Sequence, residues 1–235
     1  MKVALFGGTF DPPHQGHVAL ARLAIDRLHF DRILMAPVGT QPLKQASQPP
    51  ASFADRTEMV RLAISGEPGL EVSLIDAPRA DGRPNYTIHT VKKLRQDLDP
   101  GDKLFCLMGA DSFLTISRWY RASELLMSCD FIVASRPGFD LSRIAAALPE
   151  NIALAAEENP AQNPDDNSDK GSLVIGLRND SGERSRLYLL PDLAEEVSAT
   201  EIRAEIAAGN TRGLAPAVAA YITEHCLYRS ELKSG

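Results

Sequence analysis

Disulfide scaffolding finds no support in this sequence. Its three cysteines, Cys106, Cys129 and Cys226, are odd in number and none are paired at CxxC spacing, so neither a disulfide framework nor a zinc knuckle is encoded. Long hydrophobic runs are also missing. The N-terminal apolar run, Val3 to Phe6, is far shorter than a signal-peptide core or the roughly 20 apolar residues of a membrane span. The expectation is a cytoplasmic protein with no membrane partner. Basic residues are in deficit, with 25 Lys and Arg against 31 Asp and Glu, a net charge of −6. Groove binders of nucleic acid concentrate excess Lys and Arg to displace counterions, so nucleic acid is not an expected partner. Any anionic ligand must be met locally.

What is present is enough apolar material for a sizeable core: 235 residues at 44% hydrophobic content, consistent with one domain and an appendage. Short apolar runs alternate with amphipathic stretches five times: Val3–Phe6 with His17–Leu28, Arg32–Val38 with Ser52–Ile64, Leu70–Ile75 with Thr87–Leu98, Leu104–Met108 with Ser112–Met127, and Phe131–Ser135 with Leu141–Leu148. Near-continuous runs such as "LFCLM" and "FIVAS" suit strands covered on both faces, which predicts a doubly wound, mainly parallel α/β sheet. Ser52 with Asp55 and Thr87 before its apolar series mark helix starts.

The alternation fails between Pro149 and Arg184, where "AAEENPAQNPDDNSDKGS" carries no large apolar residue. A mobile insertion at about 149–184 is expected. "SLVIGLR" and "SRLYLL" around "NDSGE" then predict a β-hairpin, and the chain ends in helices over Ala199–Ala208 and Pro216–His225. One domain over 1–235, with C-terminal helices at about 199–226, is the resulting organisation.

"GGTFDPPHQGH", residues 7–17, lies between the first strand and the first helix, where open α/β sheets bind ligands. Gly7 and Gly8 are read as residues taking backbone angles closed to others, and Gly16 as leaving room before the helix. The helix's unpaired N–H groups suit a phosphate. The loop matches neither the Walker pattern nor GxGxxG. Instead, His14 and His17 are placed to donate hydrogen bonds to one phosphate. No carboxylate trio or cysteine pair stands near them, so the chemistry indicated is phosphate handling rather than metal ligation.

The motif resembles the signature of the HxGH nucleotidyltransferase superfamily, and most closely that of bacterial nicotinate-nucleotide adenylyltransferases. "DRTEMVRLAI", "PNYTIHTVKKL", "GADSF" with Trp119, "SRPG", "VSATEIR" and "VAAYITEHCLY" agree in order, over most of the chain outside 149–184. The resemblance implies a Rossmann-like nucleotidyltransferase fold and transfer of AMP from ATP to nicotinate mononucleotide, yielding deamido-NAD and pyrophosphate in NAD biosynthesis.

The resemblance also assigns roles. Gly8, Thr9, Phe10, His14 and His17 cradle the reacting phosphates, with both histidines and Arg203 catalytic. Ser198 caps the penultimate helix, Thr200 lies in its first turn, and Arg203 reaches the outer phosphates. Asp111 meets ribose hydroxyls. Lys44, Tyr86, Thr87, Trp119 and Arg136 hold the acceptor, Trp119 by stacking on the pyridine ring. Two positions depart from the family's pattern: Leu43 where His is commoner, and Ala199 where ISSTxxR has its second Ser. No protein metal site is implied; Mg²⁺ is the implied cofactor, held by ATP phosphates. A homo-oligomer is compatible with the sequence. Rival readings are another HxGH transferase with a different phosphate acceptor, and a catalytically silent nucleotide sensor.

Overall fold

The computed structural model describes residues 1–42, 50–134, 141–155, 173–190 and 198–228. Five β-α units come first: β1 (Lys2–Gly8) and α1 (Gln15–Leu28), β2 (Arg32–Pro37) and α2 (Phe53–Ala63), β3 (Leu70–Val72) and α3 (Thr87–Asp97), β4 (Lys103–Gly109) followed by α4 (Ala110–Phe113) and α5 (Ala122–Ser128), then β5 (Asp130–Ala134) and α6 (Leu141–Ala147). Strands β6 (Ile152–Ala155), β7 (Leu173–Asn179) and β8 (Arg184–Leu190) precede helices α7 (Ala199–Ala207) and α8 (Pro216–Glu224). The strands form one sheet in the order β3-β2-β1-β4-β5-β8-β7-β6. Strands β1 to β5 are parallel, β8 joins β5 in parallel, and β6 and β7 add antiparallel pairings. This is the mainly parallel, Rossmann-like arrangement that the alternation predicts.

Strand pleating distributes the apolar runs to two faces. Val3 and Leu5 of β1, with Cys106 and Met108 of β4, join Ile88, Val91 and Leu94 of α3 and Leu125 of α5 in one core. Ala4, Phe6, Phe105 and Leu107 point the other way, onto Leu20, Ala21 and Ala24 of α1 and Val60 of α2. A third cluster joins Met59 of α2 to Ile202 of α7 and Val218 and Ile222 of α8, fixing the C-terminal helices against the first half of the sheet.

Four details differ from the sequence reading. The stretch Ser112–Met127 is not one helix: α4 ends at Phe113, a 3₁₀ turn spans Ile116–Arg118, and Arg121 at φ 54 starts α5. The extended backbone of Trp119, φ −76 and ψ 148, interrupts the helix where the polar "SRWYR" stretch offers no continuous apolar stripe. Within 149–184, residues 152–155 form strand β6, paired with β7; "IALA" is only four residues long, too short for its alternation to mark a strand. Residues 156–172 of that expected insertion lie outside the described residues. Thr87 is the first residue of α3 and not its cap; Tyr86 occupies the N-cap without a side-chain bond. Gly7 and Gly8 belong to β1 and Gly16 to the first turn of α1, and it is Phe10, at φ 50, that takes the left-handed backbone in the loop.

Candidate active site

Strands β1 and β4 end at a cavity of about 1330 Å³ whose lining runs from the Gly8–His17 loop to Trp119 and to Arg203. Phe10 anchors the loop. Its side chain is 1% exposed and meets Phe6 edge-on at 5.5 Å and His17 at 4.9 Å. The left-handed backbone of a bulky residue costs on the order of 1–3 kcal/mol, offset by that burial. Gly8 packs closely under the same ring: a Cβ there would stand 3.1 Å from the Phe10 ring, which would have to give by a few tenths of an ångström.

The two histidines are coupled. His14 is the N-cap of α1 with an extended backbone, and its N–H donates to Nδ1 of His17 at 3.1 Å. With Nδ1 accepting, neutral His17 carries its proton on Nε2, which leaves an N–H donor. The rings lie 3.6 Å apart, centroid to centroid, and His14 Nδ1 is buried without a hydrogen-bond partner among the described residues. Burial lowers the His14 pKa to about 4. Burial, and then the neighbouring His14, holds His17 well below the ordinary imidazole range. The pair is therefore neutral without an anion, and an incoming phosphate would favour its protonation.

Helix α7 also contributes to the cavity lining, through Thr200 and Arg203, with its cap Ser198. Ser198 caps α7, its Oγ accepting from Glu201 N–H at 3.2 Å while Glu201 accepts from Ser198 N–H at 3.0 Å. Arg203 donates to the Asp11 carbonyl at 2.7 Å and to Thr200 Oγ1 at 3.2 Å. Asp11, 3% exposed, accepts at Oδ1 from the Tyr228 hydroxyl at 2.7 Å and from Ala51 N–H at 3.3 Å.

The lining also includes Tyr86, Thr87 and Trp119, and Asp111 just after the end of β4. Trp119 donates its indole N–H to Thr115 Oγ1 at 3.1 Å, which fixes the ring plane. The first turn of α3 has no side-chain cap, so its N–H groups are free of that competition. Gly8, Thr9, Phe10, His14, His17, Asp111, Ser198, Thr200, Arg203, Tyr86, Thr87 and Trp119 thus line one cavity. Lys44 and Arg136 lie outside the described residues.

The sequence reading did not single out the groups that hold these walls. Arg56 of α2, 1% exposed, donates to the Thr9 and Val38 carbonyls at 2.6 and 2.8 Å; burial lowers its pKa. Gln41 donates to Thr9 Oγ1. Asn85 and Asp76 form a buried polar pair beside Tyr86. Arg56, Asn85 and Asp11 each fall in a segment that carries the family resemblance, but nothing in helical or strand periodicity marks a buried charge as a brace. Among the described residues, no group of three or more His, Cys, Asp or Glu could hold a metal ion, and no helix is long and apolar enough to cross a membrane.

Residues 5–205 match the cytidylyltransferase-like family. A protein of Laribacter hongkongensis named "Probable nicotinate-nucleotide adenylyltransferase" is 39% identical over 97% of this chain and 95% of its own. A protein of the same name from Stenotrophomonas maltophilia is 37% identical over 96% of each chain. Among solved structures, the nicotinic acid mononucleotide adenylyltransferase of Plasmodium falciparum, complexed with NaAD, aligns with a TM-score of 0.66 over 97% of each chain at 16% identity. That last likeness concerns the fold alone.

Proposed function

The chain belongs to the cytidylyltransferase-like family and, within it, to the nicotinate-nucleotide adenylyltransferases; from that premise we propose that it transfers AMP from ATP to nicotinate mononucleotide, forming deamido-NAD and pyrophosphate in NAD biosynthesis. The observation that carries this reading is one cavity lined by His14, His17 and Arg203 and also by Trp119 and the uncapped start of α3. Donors suit polyphosphate. The ring and the helix start suit a flat heterocycle bearing a carboxylate.

An oxygen of the acceptor's phosphate attacks the α-phosphorus of ATP, the bond from that phosphorus to the α–β bridging oxygen breaks, and pyrophosphate leaves. The acceptor needs no general base, because a phosphomonoester with a second pKa of about 6 is already largely ionised at neutral pH. Alignment and charge stabilisation are what the protein supplies. His17 Nε2–H and His14 donate to oxygens on the α-phosphate as charge builds there. Arg203 meets the departing phosphates from α7, while Asp111 orients ribose hydroxyls. Lys44 and Arg136 are assigned to the acceptor on resemblance alone.

Nucleotidyltransferases generally work with a divalent metal alongside the nucleotide, and we assign Mg²⁺ here. The cavity's N–H donors fit phosphate oxygens and not the ion, so Mg²⁺ would be held through ATP, where it neutralises phosphate charge. The test is kcat/KM for nicotinate and nicotinamide mononucleotides at saturating Mg–ATP, with pyrophosphate and dinucleotide both measured. The uncapped first turn of α3 presents N–H groups, and an amide N–H₂ turned toward them sets donor against donor, so nicotinate should win by at least one order of magnitude, about 1.4 kcal/mol. Equal values would refute the acceptor assignment. Turnover only with a different phosphate acceptor would refute the reaction.

A further inference from the structure

Thr40 and Asn85 stand 45 residues apart and exchange two hydrogen bonds: Asn85 N–H donates to the Thr40 carbonyl at 2.9 Å, and Thr40 N–H donates to Asn85 Oδ1 at 3.0 Å. The amide nitrogen of Asn85 serves three further acceptors, the carbonyls of Asp76 and Ala77 at 3.1 and 2.9 Å and Asp76 Oδ1 at 3.2 Å. Thr90 Oγ1, in α3, donates to the same carboxylate oxygen at 2.7 Å. Each side-chain atom of Asn85 that can bond does so, and the residue is buried. A polar group this committed fixes geometry, since each lost partner would leave a buried donor or acceptor unpaired.

What it fixes lies on both sides. Tyr86 and Thr87 follow Asn85 directly and line the acceptor wall. Thr40 adjoins Gln41, whose amide reaches Thr9 Oγ1 in the phosphate loop. The 38–41 segment is also held by Gly39 N–H to the Asp76 carbonyl at 2.8 Å and by Arg56 at Val38. A Cβ on Gly39 would stand 2.4 Å from the Pro78 nitrogen, so the two segments touch without room for a side chain.

We propose that Asn85 is a positioning residue that ties the acceptor wall to the phosphate loop and so sets the distance between the bound acceptor and the α-phosphate. The inference rests on the adenylyl-transfer reading given above. Asn85 touches no reacting atom in it. Its effect comes through the placement of Tyr86, Thr87 and Thr9.

The test compares Asn85→Asp with the exchange variant Asn85→Asp/Asp76→Asn, using nicotinate mononucleotide and Mg–ATP. Asn85→Asp keeps an acceptor for Thr40 N–H but sets a carboxylate against Asp76. Its KM for the mononucleotide should rise about tenfold and kcat should fall, while KM for ATP stays within about twofold. The exchange variant restores an amide–carboxylate pair at Asp76 Oδ1 but not the donors to the Asp76 and Ala77 carbonyls, and should recover part of the lost kcat/KM. Hydrogen exchange at the Thr40 amide should quicken in the single variant and slow again in the exchange variant. Both KM values moving together with thermal stability, no recovery on exchange, or unchanged kinetics would each overturn the proposal. Wild-type protein that adenylylates no pyridine mononucleotide would overturn the functional reading, and this proposal with it. Wild-type turnover with an indifferent variant would overturn this proposal alone.

Discussion

The Tyr228 hydroxyl donates to Asp11 Oδ1 at 2.7 Å across 217 residues of chain, and Arg203 holds the carbonyl of the same aspartate. Asp11 is therefore where the C-terminal helices grip the signature loop. Tyr228→Phe removes one hydrogen bond to a buried carboxylate, a loss of about 1.5–3 kcal/mol. Urea unfolding should show it as a lower midpoint at unchanged m-value. An unmoved midpoint would mean that Ala51 N–H alone suffices for Asp11.

His17→Ala deletes the donor that the proposed mechanism turns toward developing phosphate charge, and also leaves His14 N–H without its acceptor. Turnover should fall by about two to three orders of magnitude, roughly 2.7–4 kcal/mol by comparison with oxyanion-site deletions. Single-turnover adenylyl transfer in a variant with native circular dichroism is the measurement. Near-wild-type rates would remove His17 from the chemistry.

Stability of the ligand-free protein should depend on pH through His14. Its folded pKa, lowered to about 4 by burial, lies below the unfolded value of about 6.5, so the unfolded chain binds more protons between the two. The contribution is intact above pH ~6.5 and is lost as pH falls toward 4, to a total of roughly 3 kcal/mol. His14→Asn should reduce the slope of that segment and leave the part that buried His17 supplies. Parallel curves for the two proteins would contradict the burial argument.

Trp119→Ala should weaken nicotinate and nicotinamide mononucleotides alike, by about one order of magnitude in KM, since ring stacking is indifferent to the substituent. The preference between them should survive. A variant that loses discrimination while keeping affinity would assign Trp119 to carboxylate recognition and not to stacking.

Gly39→Ala tests the contact between the segments around residues 39 and 78. Its Cβ would collide with the backbone of Pro78, which has no flexible end to move aside. Overpacking of this kind costs about 1–3 kcal/mol or more. A thermal midpoint equal to wild type would show that the backbone yields freely there.

The parallel half of the sheet was legible because strands buried on both faces read as unbroken apolar runs, as "LFCLM" does for β4. The place of the Gly8–His17 loop at the cavity was legible because its residues are contiguous between the first strand and the first helix. Long-range polar pairs were not. Asn85 with Thr40, and Tyr228 with Asp11, join segments far apart in sequence, and hydrogen bonds between loops leave no periodic trace. Arg56 was invisible for a related reason: an arginine on an amphipathic helix reads as a solvated charge until the carbonyls of Thr9 and Val38 are seen around it. β6 escaped notice because Ile152–Ala155 is too short to show alternation.

Strand β8 sits between β5 and β7, and its Arg186 N–H bonds to Asp130 Oδ1 across 56 residues at 2.8 Å. On a ribosome making about 5–20 residues per second, that separation takes several seconds to synthesise. Throughout that interval β1 to β5, joined later by the β6 and β7 segments, wait for β8 with an open β5 edge of unpaired N–H and C=O groups, the kind of edge that recruits other strands. A ribosome stalled before Arg184 would therefore present an adhesive, unfinished sheet, and chaperone occupancy on this chain should peak between the emergence of β5 and that of β8.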